Sequence, residues 1–371
     1  MRRRPADFVG AAPADGPAVA ERGRGASGAA HGTWLTLGKD GRLSLYAPTD
    51  GGLLRWTEAV AGGPEWSGPY FVAVAGLTHL TVVQGADTYV HFLGRRKRAG
   101  ADGSRTIDIV HAIQYQTGRA FTDWRSLGNP QQDREEGARL GPPVGAIAPD
   151  GTVHVFVRGA QGGLMLRRET PNGKWRPWED LRGAGVDALP AAVVLAGGRI
   201  EVCVAAETGV LVWRQLEPGG EFTGPRGFSL SPVPGTVAAL ETTPDRPAFL
   251  WADAVSGGAA VWRAGGSPVA LGGSATEGPY ATLRTSLDGG DWVLLAHRGP
   301  EGSAVLGLGA PGKEVDGFWW YDLAELCQGV PALARDRRGR VVMALIGPDG
   351  VPKVARQEAG AGLTLTRWRR L

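Results

Sequence analysis

Cysteine is almost missing: Cys203 and Cys327 are the only two in 371 residues. That count excludes a disulfide scaffold and leaves no metal-binding spacing. Lysine is nearly as scarce, confined to Lys39, Lys97, Lys174, Lys313 and Lys353, so the basic charge is carried by arginine. The formal net charge of +3 is too small over this length for nucleic acid to be an expected partner. No apolar run approaches the ~20 residues of a membrane span. Met1-Arg2-Arg3-Arg4-Pro5 has the charge of a signal-peptide start, but Asp7, Asp15 and Glu21 interrupt what would be its apolar core. The expected location is therefore cytoplasmic, or exported without a recognisable signal peptide. Phosphate loops, nucleophile elbows and dinucleotide fingerprints are lacking too, so neither a cofactor nor a metal is expected.

What is present points one way. The 59 Gly and 26 Pro are scattered every few residues and exclude long helices. A hydrophobic share of 43% with 13 Trp excludes a disordered chain. Many turns between many short, packed strands satisfy both.

A turn followed by a strand recurs as Asp40-Gly41-Arg42-Leu43, Asp150-Gly151-Thr152-Val153, Gly197-Gly198-Arg199-Ile200 and Arg338-Gly339-Arg340-Val341. The step from Gly151 to Gly198 is 47 residues, and Leu181 to Leu371 spans 190, or four such steps. Around each turn lie four strand-like pieces, the last carrying paired aromatics and a closing leucine, as in Trp175, Trp178 and Leu181. Val153, Val155 and Val157 alternate with His154 and Phe156, a period of two with both faces apolar. The repeat predicts an all-β fold, a seven-bladed β-propeller of four-stranded antiparallel blades. Blades are expected at about 31–69, 70–129, 141–187, 189–232, 234–273, 279–327 and 329–371, behind a flexible N-terminal tail of residues 1–30. The terminal repeats each hold their own strands, so the ring is expected to close edge to edge with the tail contributing little. A basic insertion, Gly94 to Arg105, is expected between the middle strands of the second blade.

The run Ala148-Pro149-Asp150-Gly151-Thr152-Val153-His154-Val155-Phe156-Val157-Arg158-Gly159, continued by Gly163-Leu164 and Trp175 to Gly183, resembles the repeat of the bacterial fucose-binding seven-bladed propeller lectins. More distantly it is similar to tectonin-type lectins. The resemblance implies the propeller fold, and with it a glycan or glycosylated partner held in pockets between blades. The Gly-His and Trp-Asp pairing of WD40 blades is missing. Ser286-Leu287-Asp288-Gly289-Gly290-Asp291-Trp292 approaches the Asp-box of sialidases but occurs once and lacks one residue before its tryptophan.

Trp56, Trp213 and Trp262 recur at one position of the third strand, with Glu58 and Gln215 close by. An indole face stacks on the C–H face of a pyranose while the polar neighbours take its hydroxyls, so these five are the expected ligand-binding residues. The competing expectation for a large aromatic is packing between blades. His91, His111 and His154 fall on strands of adjacent blades and are the first catalytic positions to consider if the funnel is an enzyme site. Asp108, Asp253, Asp288, Asp291 and Glu201 are further acid–base positions, with nothing to choose among them. Arg95-Arg96-Lys97-Arg98 reads as a solvated loop which, like the tail, offers a route to a protein partner. The expected function is glycan binding without catalysis; the alternatives are a protein-interaction scaffold and an enzyme of specialised metabolism.

Overall fold

The computed structural model describes residues 24–99, 105–187, 189–274, 277–360 and 362–371. Seven antiparallel sheets stand around a common axis, with strands at 35–73, 77–128, 144–180, 191–228, 238–272, 281–326 and 332–370. The first strand of each blade lies innermost, except in blade two, where His31–Gly32 lies inside it, and the first strands neighbour one another in sequence order from blade two to blade seven and on to blade one. Among the described residues helix is limited to Arg134–Ala138 and one turn at Glu314–Asp316. Among the described residues no helix is long and apolar enough to cross a membrane.

Each blade is covered on both faces, which is why its central strands are largely buried and mostly apolar. Val341–Ile346 is buried at all six positions. In blade three, Val153, Val155 and Val157 pack with Leu93, Ile107 and Ile109 of blade two. Phe156, on the opposite face, packs with Ile200, Val202 and Trp213 of blade four. Strand alternation thus assigns successive side chains to the two neighbouring blades. The recurrent turn is set by its aspartate and glycine. The N–H of Thr152 donates to Asp150 Oδ1 (2.9 Å) and that of Arg42 to Asp40 Oδ1 (3.1 Å). Gly151 and Gly339 have φ of 82° and 79°, a conformation that costs glycine little.

Two expectations need correction. The basic stretch of blade two is a hairpin of ten-residue strands, Val90–Ala99 and Arg105–Gln114, paired out to Ala99 opposite Arg105. Arg95–Arg98 is therefore strand, not loop. Alternation places Arg96 and Arg98 on one side, 3.5 and 3.3 Å from the Asp108 carboxylate, and Arg95 donates to the Ala138 carbonyl (2.7 Å). The second correction concerns the N-terminal segment, of which residues 1–23 lie outside the described residues. From residue 24 onward it packs on the ring. The N–H of Ala26 donates to Gly350 O in blade seven and that of Ser27 to Pro48 O in blade one, both 2.9 Å. Thr49 Oγ1 donates to Gly25 O (2.9 Å), and the Arg24 guanidinium sits 4.0 Å over the Phe71 ring. The ring's ends are complete blades, and this strap ties them together. Beyond it, His31–Gly32 pairs in parallel with Leu77–Gln84, giving blade two a fifth strand.

Candidate functional site

Glu58 and Gln215 occupy equivalent positions at the end of a third strand, as do Glu169 and Gln357. Each side chain accepts the N–H that opens the second strand of its own blade: Leu43 (2.9 Å), Val153 (3.4 Å), Ile200 (3.0 Å) and Val341 (3.0 Å). Glu58 and Gln215 are fully buried. They hold strands together inside a blade, out of reach of a sugar hydroxyl. Next to Gln357, Arg356 pairs with Glu58 of blade one and with Asp336 (2.6 Å), locking blade seven to blade one. Burial pushes the Asp336 carboxyl up, but the guanidinium groups of Arg356 and Arg340 outweigh it and hold the group below the usual carboxylate range.

The three recurring tryptophans are buried as well, Trp56 and Trp262 at 3% exposure and Trp213 at 0%. Trp213 Nε1 donates to the Leu181 carbonyl at the outer edge of blade three (2.9 Å). Trp178 does the same to Leu127 of blade two, and Trp320 to Leu271 of blade five, both 2.9 Å. Trp262 Nε1 donates to Gly266 O (2.9 Å). A leucine closing one blade offers its carbonyl to an indole of the next, so the repeat of Trp and Leu records inter-blade packing. No face of Trp56, Trp213 or Trp262 lies open to a pyranose, which corrects their reading as sugar platforms.

Two of the three candidate histidines come together and the third does not. His91 and His111 stack on neighbouring strands of blade two, Nδ1 to Nε2 3.1 Å, and His111 meets the edge of Trp175 at 5.4 Å. His154 faces blade four instead, its Nε2 3.4 Å from Gln215 Nε2. Burial, reinforced by Arg168, pulls His154 down to about 4, so it is neutral near pH 7. Asp108 is taken up by arginines, Glu201 is buried against Arg214 Nε (2.6 Å), and Asp253 caps a turn through the Ser256 N–H (2.9 Å). Among the described residues no three His, Cys, Asp or Glu side chains are grouped to hold a metal.

Two accessible concavities lie elsewhere, between the outer strands of one blade and the loop joining the third and fourth strands of the next. Between blades one and two this cleft measures about 770 Å³. One wall carries Arg55, Thr57, Ser67 and Tyr70; the other is the loop from Thr117 to Trp124. Arg55 donates to the carbonyls of Gly118 (3.1 Å) and Arg119 (2.6 Å) and lies 5.2 Å over Tyr70. It holds the two walls at fixed separation. Phe121 is braced from behind by Phe92 at 4.5 Å. Tyr70, Phe121 and Trp124 are half-buried, and Asp123 is exposed. The equivalent cleft between blades six and seven measures about 450 Å³ and includes Asp288, Trp292, Trp319 and Tyr321. None of Arg55, Tyr70, Trp319 or Tyr321 stands out in the sequence, because none of them repeats.

Fold and clefts together define a seven-bladed propeller with inter-blade openings. No protein-family model matches the chain, and no curated protein matches it. Among solved structures, an ulvan lyase bound to -[GlcA(1-4)Rha3S]- aligns at 13% identity over 90% of this chain and 93% of that one, with a TM-score of 0.55. AofleA from Arthrobotrys oligospora aligns at 13% identity over 79% and 85%, with a TM-score of 0.52. At such identity the likeness is one of fold.

Proposed function

We propose that this propeller binds saccharides, without catalysis, in the cleft between blades one and two. The observation that carries the reading is the juxtaposition there of half-buried aromatic faces, Tyr70, Phe121 and Trp124, with Arg42, Thr57, Ser67 and Asp123. A sugar ring needs both: an apolar wall for its C–H face and converging donors and acceptors for its hydroxyls. The fixed separation of the walls keeps the cleft formed without ligand, which lowers the cost of binding. The ulvan lyase, a propeller of the same fold, is itself bound to a saccharide. Asp123 is the one carboxylate among the lining residues, whereas glycoside hydrolysis ordinarily uses two, which supports binding over hydrolysis. The test is a glycan array with the intact protein, followed by Tyr70→Ala and Asp123→Asn. Both side chains reach the cleft surface, so each variant is expected to stay folded and to lose tenfold or more in affinity, as roughly 1–2 kcal/mol of lost stacking or hydrogen bonding would give. An array without signal, or unchanged binding by both variants, removes the reading.

A further inference from the structure

The near-Asp-box of blade six, which plays no part in the saccharide cleft, builds the second opening. Leu287 and Gly290 pair across a two-residue turn, with φ of 51° at Asp288 and 78° at Gly289. This turn type matches the twist of the flanking strands, so the tip of the hairpin is fixed. Asp288 Oδ2 accepts the Gly362 N–H of blade seven (2.8 Å), which sets a carboxylate at the junction of the two blades. Leu308 lies opposite both Leu294 and Trp319. With a period of two, Trp292, Trp319 and Tyr321 share that face, turned toward blade seven. Trp320 points the other way and staples blade five. The outer strand of blade seven is two residues long, and Trp319 and Tyr321 remain 59% and 54% exposed. The Trp292 and Trp319 rings stand 5.8 Å apart at 52°, forming two angled walls.

The chemistry of this lining differs from that of the first cleft. The blade one–two cleft has three arginines, Arg42, Arg55 and Arg119. Here, among the described residues, the lining has no basic side chain, one carboxylate, and three aromatic rings among leucines and glycines. Only Asp288 and Tyr321 bring side-chain oxygens, too few for the hydroxyls of a sugar, each of which loses water on entry. A methylated ammonium needs no hydrogen-bond partner. It is attracted by the negative faces of the rings and by the carboxylate. We propose that the cleft between blades six and seven is a binding site for a small, singly charged quaternary ammonium compound free in solution, with Trp292, Trp319 and Tyr321 as its aromatic walls and Asp288 as its counter-charge.

The test titrates the full chain with choline and with 3,3-dimethylbutan-1-ol, which has the same shape without the charge, by calorimetry. Choline should bind saturably with a dissociation constant on the order of millimolar, and the neutral analogue at least tenfold more weakly. Trp319→Ala should weaken choline about fivefold, and Asp288→Asn about threefold. Trp319 is exposed, so its truncation leaves the fold intact; a melting curve on the same sample checks this. Equal binding of choline and its neutral analogue would overturn the proposal, as would undiminished choline binding by Trp319→Ala. So would binding of a methyl glycoside here in place of choline, or capture on phosphatidylcholine vesicles with no response to free choline.

Discussion

Trp213 donates its indole N–H to the carbonyl of Leu181 across the junction of blades four and three, at 2.9 Å. Both residues belong to the repeated pattern, and the bond shows what that pattern encodes. A propeller has no single core; its stability is the sum of similar contacts between successive sheets. Each contact needs a large side chain on one blade and a carbonyl or a gap on the next. Gly183 supplies the gap: a Cβ there would lie 2.9 Å from Trp213 Cζ2.

Replacing Trp213 by Phe therefore keeps most of the buried ring but strands the Leu181 carbonyl and leaves a void. The expected loss is about 2–3 kcal/mol, from one hydrogen bond and a partly collapsed cavity. Urea unfolding should show a lower midpoint with an unchanged slope. Glycan binding by the folded fraction should be unaffected, since the blade one–two cleft is remote. A variant of wild-type stability would remove the staple assignment.

The repeat was legible because packing repeats. Two-faced apolar strands recur in most blades, and the glycine turns and the Trp-x-x-Leu ending in several, for one physical reason, the covering of each sheet by its neighbours. The same logic hid the site. Trp56, Trp213 and Trp262 recur because they fill that contact, whereas Tyr70 and Trp319 occupy places where the covering is incomplete. Incomplete covering depends on strand lengths in the neighbouring blade, such as the two-residue Arg369–Arg370, and no local pattern records it. The basic hairpin was missed for a related reason. Arg96 and Arg98 lie at strand spacing but face a carboxylate rather than the core, so hydrophobic alternation does not mark them.

Asp336 and His154 make the fold acid-sensitive in two separate windows. For His154 the folded value of about 4 lies below the model-compound value of 6.5. The unfolded chain then binds the extra proton between those pH values, and stability is full above about pH 6.5 and declines toward pH 4. Replacing His154 by Gln should flatten that segment of the curve, by an amount on the order of 3 kcal/mol at most.

Asp336 acts lower. Its folded value lies below the ordinary 3.8, so the stability it contributes is present above that value and is lost as pH falls through the depressed one. Asp336→Asn should remove that low-pH loss. At pH 7 it should cost about 3 kcal/mol or more, because Arg340 and Arg356 would lose a fully buried carboxylate partner. Unfolding free energies measured from pH 7 to 3 on wild type and both variants separate the two windows; identical curves would remove both assignments.

The strap across the ring ends gives the last prediction. Blades one and seven are each complete in four strands, so nothing in the sheets themselves links the two ends of the chain. The link is made by the apolar packing of blade seven on blade one, by the Glu58–Arg356 and Glu65–Arg369 pairs, by Arg340 donating to the Gly62 carbonyl (3.2 Å), and by residues 24–27 at the rim. There the Ala26 and Ser27 N–H groups reach Gly350 and Pro48, Ser27 Oγ adds a second bond to Pro48 O at 3.1 Å, and Arg24 stacks on Phe71. At about 1 kcal/mol net for each bond and somewhat less for the exposed stacking, the rim contributes roughly 3 kcal/mol. A chain beginning at residue 28 should therefore melt roughly 3–6 °C below one beginning at residue 24. Because the lost contacts close the ring, hydrogen exchange should rise first in Leu43–Thr49 and Pro352–Arg356, the strands flanking the strap, while blades three to five keep their protection. Equal melting of the two chains, or uniform exchange around the ring, would show that complete blades close this propeller without the strap.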